Sequence, residues 1–244
     1  MIQQEKHFLT FGTPKYYKQV MRISNEAKQL NIFDKIISLT DQDLQKDTGF
    51  WKKYGNFFLD KNNHRGYGFW FWKPYVIMKC LDNMNENDIL IYMDSGCAIN
   101  QNGKKRIFEY IDMLNSSDKC GILSFQMDHL PEIKYTKNGL LSYLETNVND
   151  MMTGQCMATV VVLKKNNHSV HVVNEWFRIA SIPSMINDTT QKENDLYIAH
   201  RHDQSILSLL VKKYGSIKIP DETYFAPDWS RGINYPFWAV RERV

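Results

Sequence analysis

The chain has no long hydrophobic run, few cysteines and no lysine-bearing glycine loop, and each gap narrows what it can be. No apolar stretch approaches the roughly 20 residues that cross a bilayer, so no membrane span is expected. Residues 1–6 begin no apolar segment, which predicts no signal peptide and a cytoplasmic location. Cys80, Cys97, Cys120 and Cys156 stand far apart with no Cys-x-x-Cys pair. That spacing speaks against a zinc site or a disulfide framework and for reduced, mostly buried thiols. The absence of Gly-x-x-x-x-Gly-Lys-Ser/Thr disfavours an ordinary P-loop NTPase. A net charge of +3 is too mild to argue for nucleic acid, although it suits an anionic nucleotide. With no internal repeat, low-complexity segment or linker, residues 1–244 read as a single domain.

What the chain does contain is apolar and aromatic. Hydrophobic residues make up 43% and aromatics 13%, enough for a full core and too much for a disordered chain. Strand-like and helix-like patterns alternate, which predicts an α/β fold with a mostly parallel sheet flanked by helices. His7 to Phe11 reads as a strand, Tyr16, Val20, Ile23, Ala27 and Leu30 as one helix face, and Lys35 to Leu39 as a second strand, together a parallel βαβ unit. The continuous apolar run Ile89–Met93 is the mark of a strand buried on both faces, expected to be central and parallel to its neighbours. It ends on Asp94-Ser95-Gly96, and ligands of open α/β sheets bind at that end of the strands. The same tripeptide is also ordinary turn chemistry.

Upstream lies Arg65-Gly66-Tyr67-Gly68-Phe69-Trp70-Phe71-Trp72-Lys73-Pro74. Gly66 and Gly68 would let the backbone approach a ligand, Arg65 and Lys73 are cations suited to phosphate, and Pro74 fits a helix start. That helix would bury Ile77, Cys80, Leu81 and Met84. Further on, Asp128 and His129 should lie just past a strand ending at Phe125. Residues 182–195 form a polar stretch without a period, and His200-Arg201-His202-Asp203-Gln204 precedes a helix. A His-x-His alone is as often structural as metal-binding, and Asp203 suits a helix N-terminus.

The separated motifs at residues 65–74, Asp94-x-Gly96 and His202-Asp203-Gln204, with the opening Leu9-Thr10-Phe11-Gly12-Thr13, resemble small GT-A-fold glycosyltransferases of large DNA viruses and bacterial polysaccharide clusters. The resemblance spans about the first 210 positions and implies a single GT-A-like domain, located in the host cell's cytoplasm if the source is viral. It implies transfer of a sugar from a nucleotide-sugar donor, UDP-linked by family habit, to a glycan or other hydroxyl acceptor. Under it, Thr10, Phe11, Gly12, Tyr16, Arg65, Gly66, Lys73, Asp94 and Ser95 would bind the donor. Gly154, Gln155 and His202 would lie on the acceptor side, Asp94 would hold Mn²⁺ or Mg²⁺, and Asp203 would act with Asp94 in catalysis, as the proton acceptor if the reaction inverts. One departure is plain: the usual metal motif is Asp-x-Asp, and Gly96 stands in place of the second acid. Two rival readings stay open, a metal-dependent nucleotidyltransferase or phosphohydrolase using Asp94, His200 and His202, and a non-catalytic nucleotide-sugar-binding module.

Overall fold

A computed structural model describes residues 4–189 and 192–240; the first three residues and the last four positions of the aromatic tail lie outside them. Among the described residues nine strands form, in chain order: β1 (Lys6–Gly12), β2 (Lys35–Thr40), β3 (Ile89–Met93), β4 (Ala98–Ile99), β5 (Ile122–Pro131), β6 (Gly154–Cys156), β7 (Val160–Lys164), β8 (Ile217–Pro220) and β9 (Phe237–Trp238). Seven of them build one sheet in the order β2-β1-β3-β7-β5-β6, with β8 also paired to β5. β4 and β9 make a separate two-stranded ribbon.

β1, β2, β3, β5 and β8 run one way and β6 and β7 the other, so the sheet is mostly parallel. β3 is central as its apolar run implies, but only one neighbour is parallel: β1 runs with it and β7 runs against it. The direction of β7 is inherited from β6. Only residues 157–159 separate the two, and the chain runs on through them in one direction, so both strands pair antiparallel with β5. A strand buried on both faces carries the same apolar pattern whichever way its neighbours point, so the sequence could not report this.

Successive side chains of β3 go to opposite faces. Leu90 and Tyr92 join Leu9, Phe11, Val161 and Leu163 beneath the helices Trp72–Asp82, Asn167–Ala180 and Asp203–Tyr214. Ile89, Ile91 and Met93 join Phe8, Val160 and Val162 beneath the helices Tyr17–Leu30 and Lys104–Asn115. All five β3 side chains are fully buried, each contributing roughly 1.5–3 kcal/mol. The helix Trp72–Asp82 buries far more than a stripe, from Trp72 through Ile77 without a break, because an aromatic wall covers its outer side. In that wall Phe50 stacks on Tyr75 at 3.9 Å and Phe71 on Phe177 at 5.5 Å.

Some expectations shift. Asp128 and His129 are exposed members of β5 rather than residues past its end. The polar stretch at 182–195 contains the short helix Pro183–Ile186, while residues 190–191 lie outside the described part. Cys80, Cys97 and Cys156 are buried free thiols and Cys120 is half-buried; burial pushes Cys80 to about 12 and Cys156 to about 11, leaving them unreactive. Among the described residues, no helix is long and apolar enough to cross a membrane.

Candidate active site

The carboxyl end of β3 is tied down from three directions. From β1, the buried Thr10 hydroxyl donates to the Met93 carbonyl at 2.9 Å. From β7's side, Asp94 N–H donates to Thr159 O at 2.9 Å, and Cys97 N–H closes the turn on Asp94 O. From the helix Tyr17–Leu30, Arg22 donates to Ser95 O at 3.0 Å and Cys97 O at 2.6 Å, while Glu26 accepts from Arg22 and from Ile99 N–H. Asp94-Ser95-Gly96 is thus a turn, but one clamped by charged hydrogen bonds, each typically worth about 1.5–3 kcal/mol.

Behind Asp94 sits Lys73, from the first turn of the helix Trp72–Asp82 and only 2% exposed. Its ammonium lies 3.1 Å from Asp94 Oδ1 and 2.9 Å from Asp203 Oδ2, and donates to Ala158 O at 3.2 Å. The Asp203 contact is a charge pair whose angle falls outside hydrogen-bond geometry. Asp203 opens the helix Asp203–Tyr214, and Trp176 anchors that start by donating to Asp203 O at 2.9 Å. Tyr92 adds a 2.6 Å hydrogen bond to Asp94 Oδ1. Both contacts fall on Oδ1, so Asp94 Oδ2 is uncommitted among the described residues, on a side chain still 27% exposed.

The charges explain one another. Burial pushes the Asp203 carboxyl up to about 6; Lys73 pulls it down and Asp94 adds to the rise. Burial would lower the Lys73 ammonium, yet Asp203 and Asp94 outweigh it and hold it above its ordinary value. The Tyr92 phenol is raised well above its usual range by burial and by Asp94, so it remains a neutral donor.

The sequence motifs therefore bring Lys73, Asp94 and Asp203 together, and leave other expected residues elsewhere. Phe11 stacks on Trp72 at 4.0 Å with both rings buried, leaving no face for a base. At Gly12 a Cβ would meet Val20 Cγ2 at 2.5 Å, so this glycine serves close packing of the helix Tyr17–Leu30 against β1. Tyr16 is half-buried at the entry to that helix, and Ser95 is buried. Gln155, expected on the acceptor side, is fully buried in a polar knot: its amide nitrogen contacts Glu132 Oε2 and Thr136 Oγ1, and its oxygen accepts from Gln204 at 2.8 Å. The knot encloses the buried Glu132–Lys212 ion pair at 2.9 Å. At Gly154 a Cβ would strike Met127 O at 2.2 Å. Gln155 thus braces the helix that carries Asp203, and Gly154 packs closely on the backbone of β5.

The glycine-aromatic segment has an unusual backbone. Gly66, Tyr67, Gly68, Phe69 and Trp70 all have positive φ, between 53° and 75°, a left-handed turn that costs roughly 1–2 kcal/mol for each non-glycine member. Trp72 pins it by donating to Gly66 O at 3.1 Å. Arg65, just before this turn, is 52% exposed and pairs with Asp188 at 3.3 Å. His202 is strained too, at φ 51° and ψ −119°, the first corner of a type II′ turn where glycine is usual. Stacking on Phe69 at 5.0 Å and a 2.7 Å hydrogen bond from Nδ1 to Ile186 O hold it there. Burial keeps its pKa down at about 4, so the ring is neutral.

The ion implied by the resemblance fits this end of the sheet poorly. Mg²⁺ and Mn²⁺ seek a shell of oxygens, and here one uncommitted carboxylate oxygen is on offer while the place between the two acids holds an ammonium. Among the described residues, the group of three that could hold an ion is Glu5, His7 and Asp88. It sits at the amino ends of β1 and β3, about 20 Å away at ~3.3 Å per strand residue, and Glu5 is already paired with Lys35 at 2.7 Å. His200 and His202 form no such group with Asp94.

Neither protein-family models nor curated proteins give a match to this sequence. Solved structures do match the fold. A glycosyltransferase involved in glycosylation of the major capsid of PBCV-1 aligns with a TM-score of 0.52 at 10% identity, over 96% of this chain and 91% of that one. The bifunctional glycosyltransferase WbbM aligns at 0.50 and 10% identity over 91% of this chain but 40% of its own length. Identities this low speak for the fold alone. That fold is the mixed α/β GT-A arrangement, with Asp94 at the carboxyl end of its central strand.

Proposed function

We propose that this protein is a glycosyltransferase that moves a sugar from a nucleotide-sugar donor, UDP-linked in this reading, to a saccharide hydroxyl. The observation that carries it is the half-open Asp94 carboxylate at the carboxyl end of β3, backed by Lys73 and Asp203 in a GT-A fold. Asp94 Oδ2 is suited to accept hydrogen bonds from hydroxyls of the donor's ribose or sugar and so to orient the anomeric carbon, while the Lys73 contact holds that carboxylate in place. Arg65, exposed and paired with Asp188, is in this reading the positive charge that meets the leaving diphosphate. If the anomeric centre inverts, Asp203, with its carboxyl at about 6, has the affinity needed to take the acceptor's proton near neutrality.

The nucleotidyltransferase or phosphohydrolase alternative has less support, since among the described residues His200 and His202 form no ligand group with Asp94. A thermal-shift panel of nucleotide sugars tests the proposal. A UDP-sugar should raise Tm by mass action, and the shift should shrink in Asp94→Asn. A panel in which no nucleotide sugar stabilises the protein would contradict it.

A further inference from the structure

We propose that the Lys73 ammonium is a built-in cation standing where a divalent ion would bridge two acids, so that nucleoside-diphosphate binding at the end of β3 needs no metal. This rests on the donor reading above for the ligand, but on the geometry of the triad for the cation.

The position is built rather than incidental. Lys73 projects from a helix turn fixed by Pro74, and its ammonium is enclosed by Asp94 Oδ1, Asp203 Oδ2 and Ala158 O. The rings of Tyr92 and Trp72 close the remaining sides, with centroids 5.5 Å and 5.8 Å from Nζ. A metal ion in that space would collide with the ammonium. One placed on Asp94 Oδ2 would lie beside a fixed positive charge, with Gly96 offering no second acid. The same oxygens without Lys73 are a hard-cation shell: two carboxylates and a carbonyl facing one void. Lys73 is therefore the residue whose removal should create a metal requirement.

The test combines two measurements. Calorimetric titration of UDP into the wild-type chain should give the same affinity, within about twofold, in EDTA and in excess Mn²⁺. Tightening by Mn²⁺ of about tenfold or more overturns the proposal. Separately, Mn²⁺ alone is titrated into the wild type, Lys73→Ala and the same two chains carrying Asp94→Asn, read by electron paramagnetic resonance. Comparison with Asp94→Asn removes any contribution of the Glu5, His7 and Asp88 group. Asp94-dependent Mn²⁺ binding should be absent from the wild type and present in Lys73→Ala. Asp94-dependent binding in the wild type overturns the proposal, as does a folded Lys73→Ala that gains none. Should Lys73→Ala not fold, the wild-type comparison alone decides. If UDP binds under neither condition, the donor reading fails, while the Mn²⁺ titration still settles the role of Lys73.

Discussion

Lys73→Met removes the cation between the buried Asp203 and the half-buried Asp94, and its cost should vary with pH in a way that a packing defect would not. Methionine keeps the stem's length and apolar contacts, so the main loss is the charge. Removing one partner of a buried ion pair costs about 3–5 kcal/mol when the other stays ionised. Asp203 need not stay ionised. Its folded pKa of about 6 is already above the ordinary 3.8, so the folded state binds this proton more tightly than the unfolded chain. That contribution is fully present below pH 3.8 and is lost as pH rises through 6, about 3 kcal/mol in all at 1.36 kcal/mol per unit. Without Lys73, which pulls the pKa down, the loss extends to higher pH. The deficit of Lys73→Met relative to wild type should therefore be small at pH 5 and grow to about 3–5 kcal/mol by pH 8. Urea unfolding of both chains at pH 5, 6, 7 and 8 measures it. A deficit equal at pH 5 and pH 8, or larger in acid, would refute the assignment of Lys73 as the neutralising charge.

Other outcomes follow from the same geometry. Gly68→Ala places a side chain at φ +75° with its Cβ 2.8 Å from the Phe58 ring, and should lower stability by about 1–3 kcal/mol in a thermal melt. Gln155→Ala leaves buried partners unsatisfied and should cost about 1–3 kcal/mol without a selective rise in acceptor KM. Arg22→Met, which frees the Asp94 turn, should lower kcat about tenfold or more, whereas Arg22→Lys should restore part of it. Transfer by an inverting reaction should fall as pH drops through about 6, where Asp203 takes up its proton, and the limb should move upward in Lys73→Met.

Much of the frame was legible from the chain alone because periodicity reports burial directly. The β3 run, the helix face of Val20, Ile23, Ala27 and Leu30, and the acid at the strand's end all lie where the pattern puts them. What escaped depends on partners remote in sequence. A lysine after a glycine-aromatic loop reads as an exposed cation, since lysine is seldom buried unless paired; its partners Asp94 and Asp203 become visible only when the sheet is assembled. Gln155 was expected on the acceptor side, yet Glu132 and Thr136, from one helical turn and its C-cap, and Gln204, from the helix Asp203–Tyr214, converge on it. Gly66 and Gly68 hinted at positive φ, but nothing in Tyr67, Phe69 and Trp70 announces a left-handed turn. β8 could have been found, because Ile217, Lys218 and Ile219 alternate just after Gly215-Ser216.

The central claim is that Asp94, Lys73 and Asp203 form a sugar-transfer centre, and release of free nucleoside diphosphate tests it most directly. The wild-type chain and Asp94→Asn, matched for Tm, would be incubated with a panel of nucleotide sugars, with and without saccharide acceptors. The account predicts acceptor-stimulated release of nucleoside diphosphate from one donor, falling at least about tenfold in Asp94→Asn for the loss of a charged hydrogen bond of about 1.5–3 kcal/mol. Release of inorganic phosphate or pyrophosphate instead, or equal turnover in the two proteins, would contradict it.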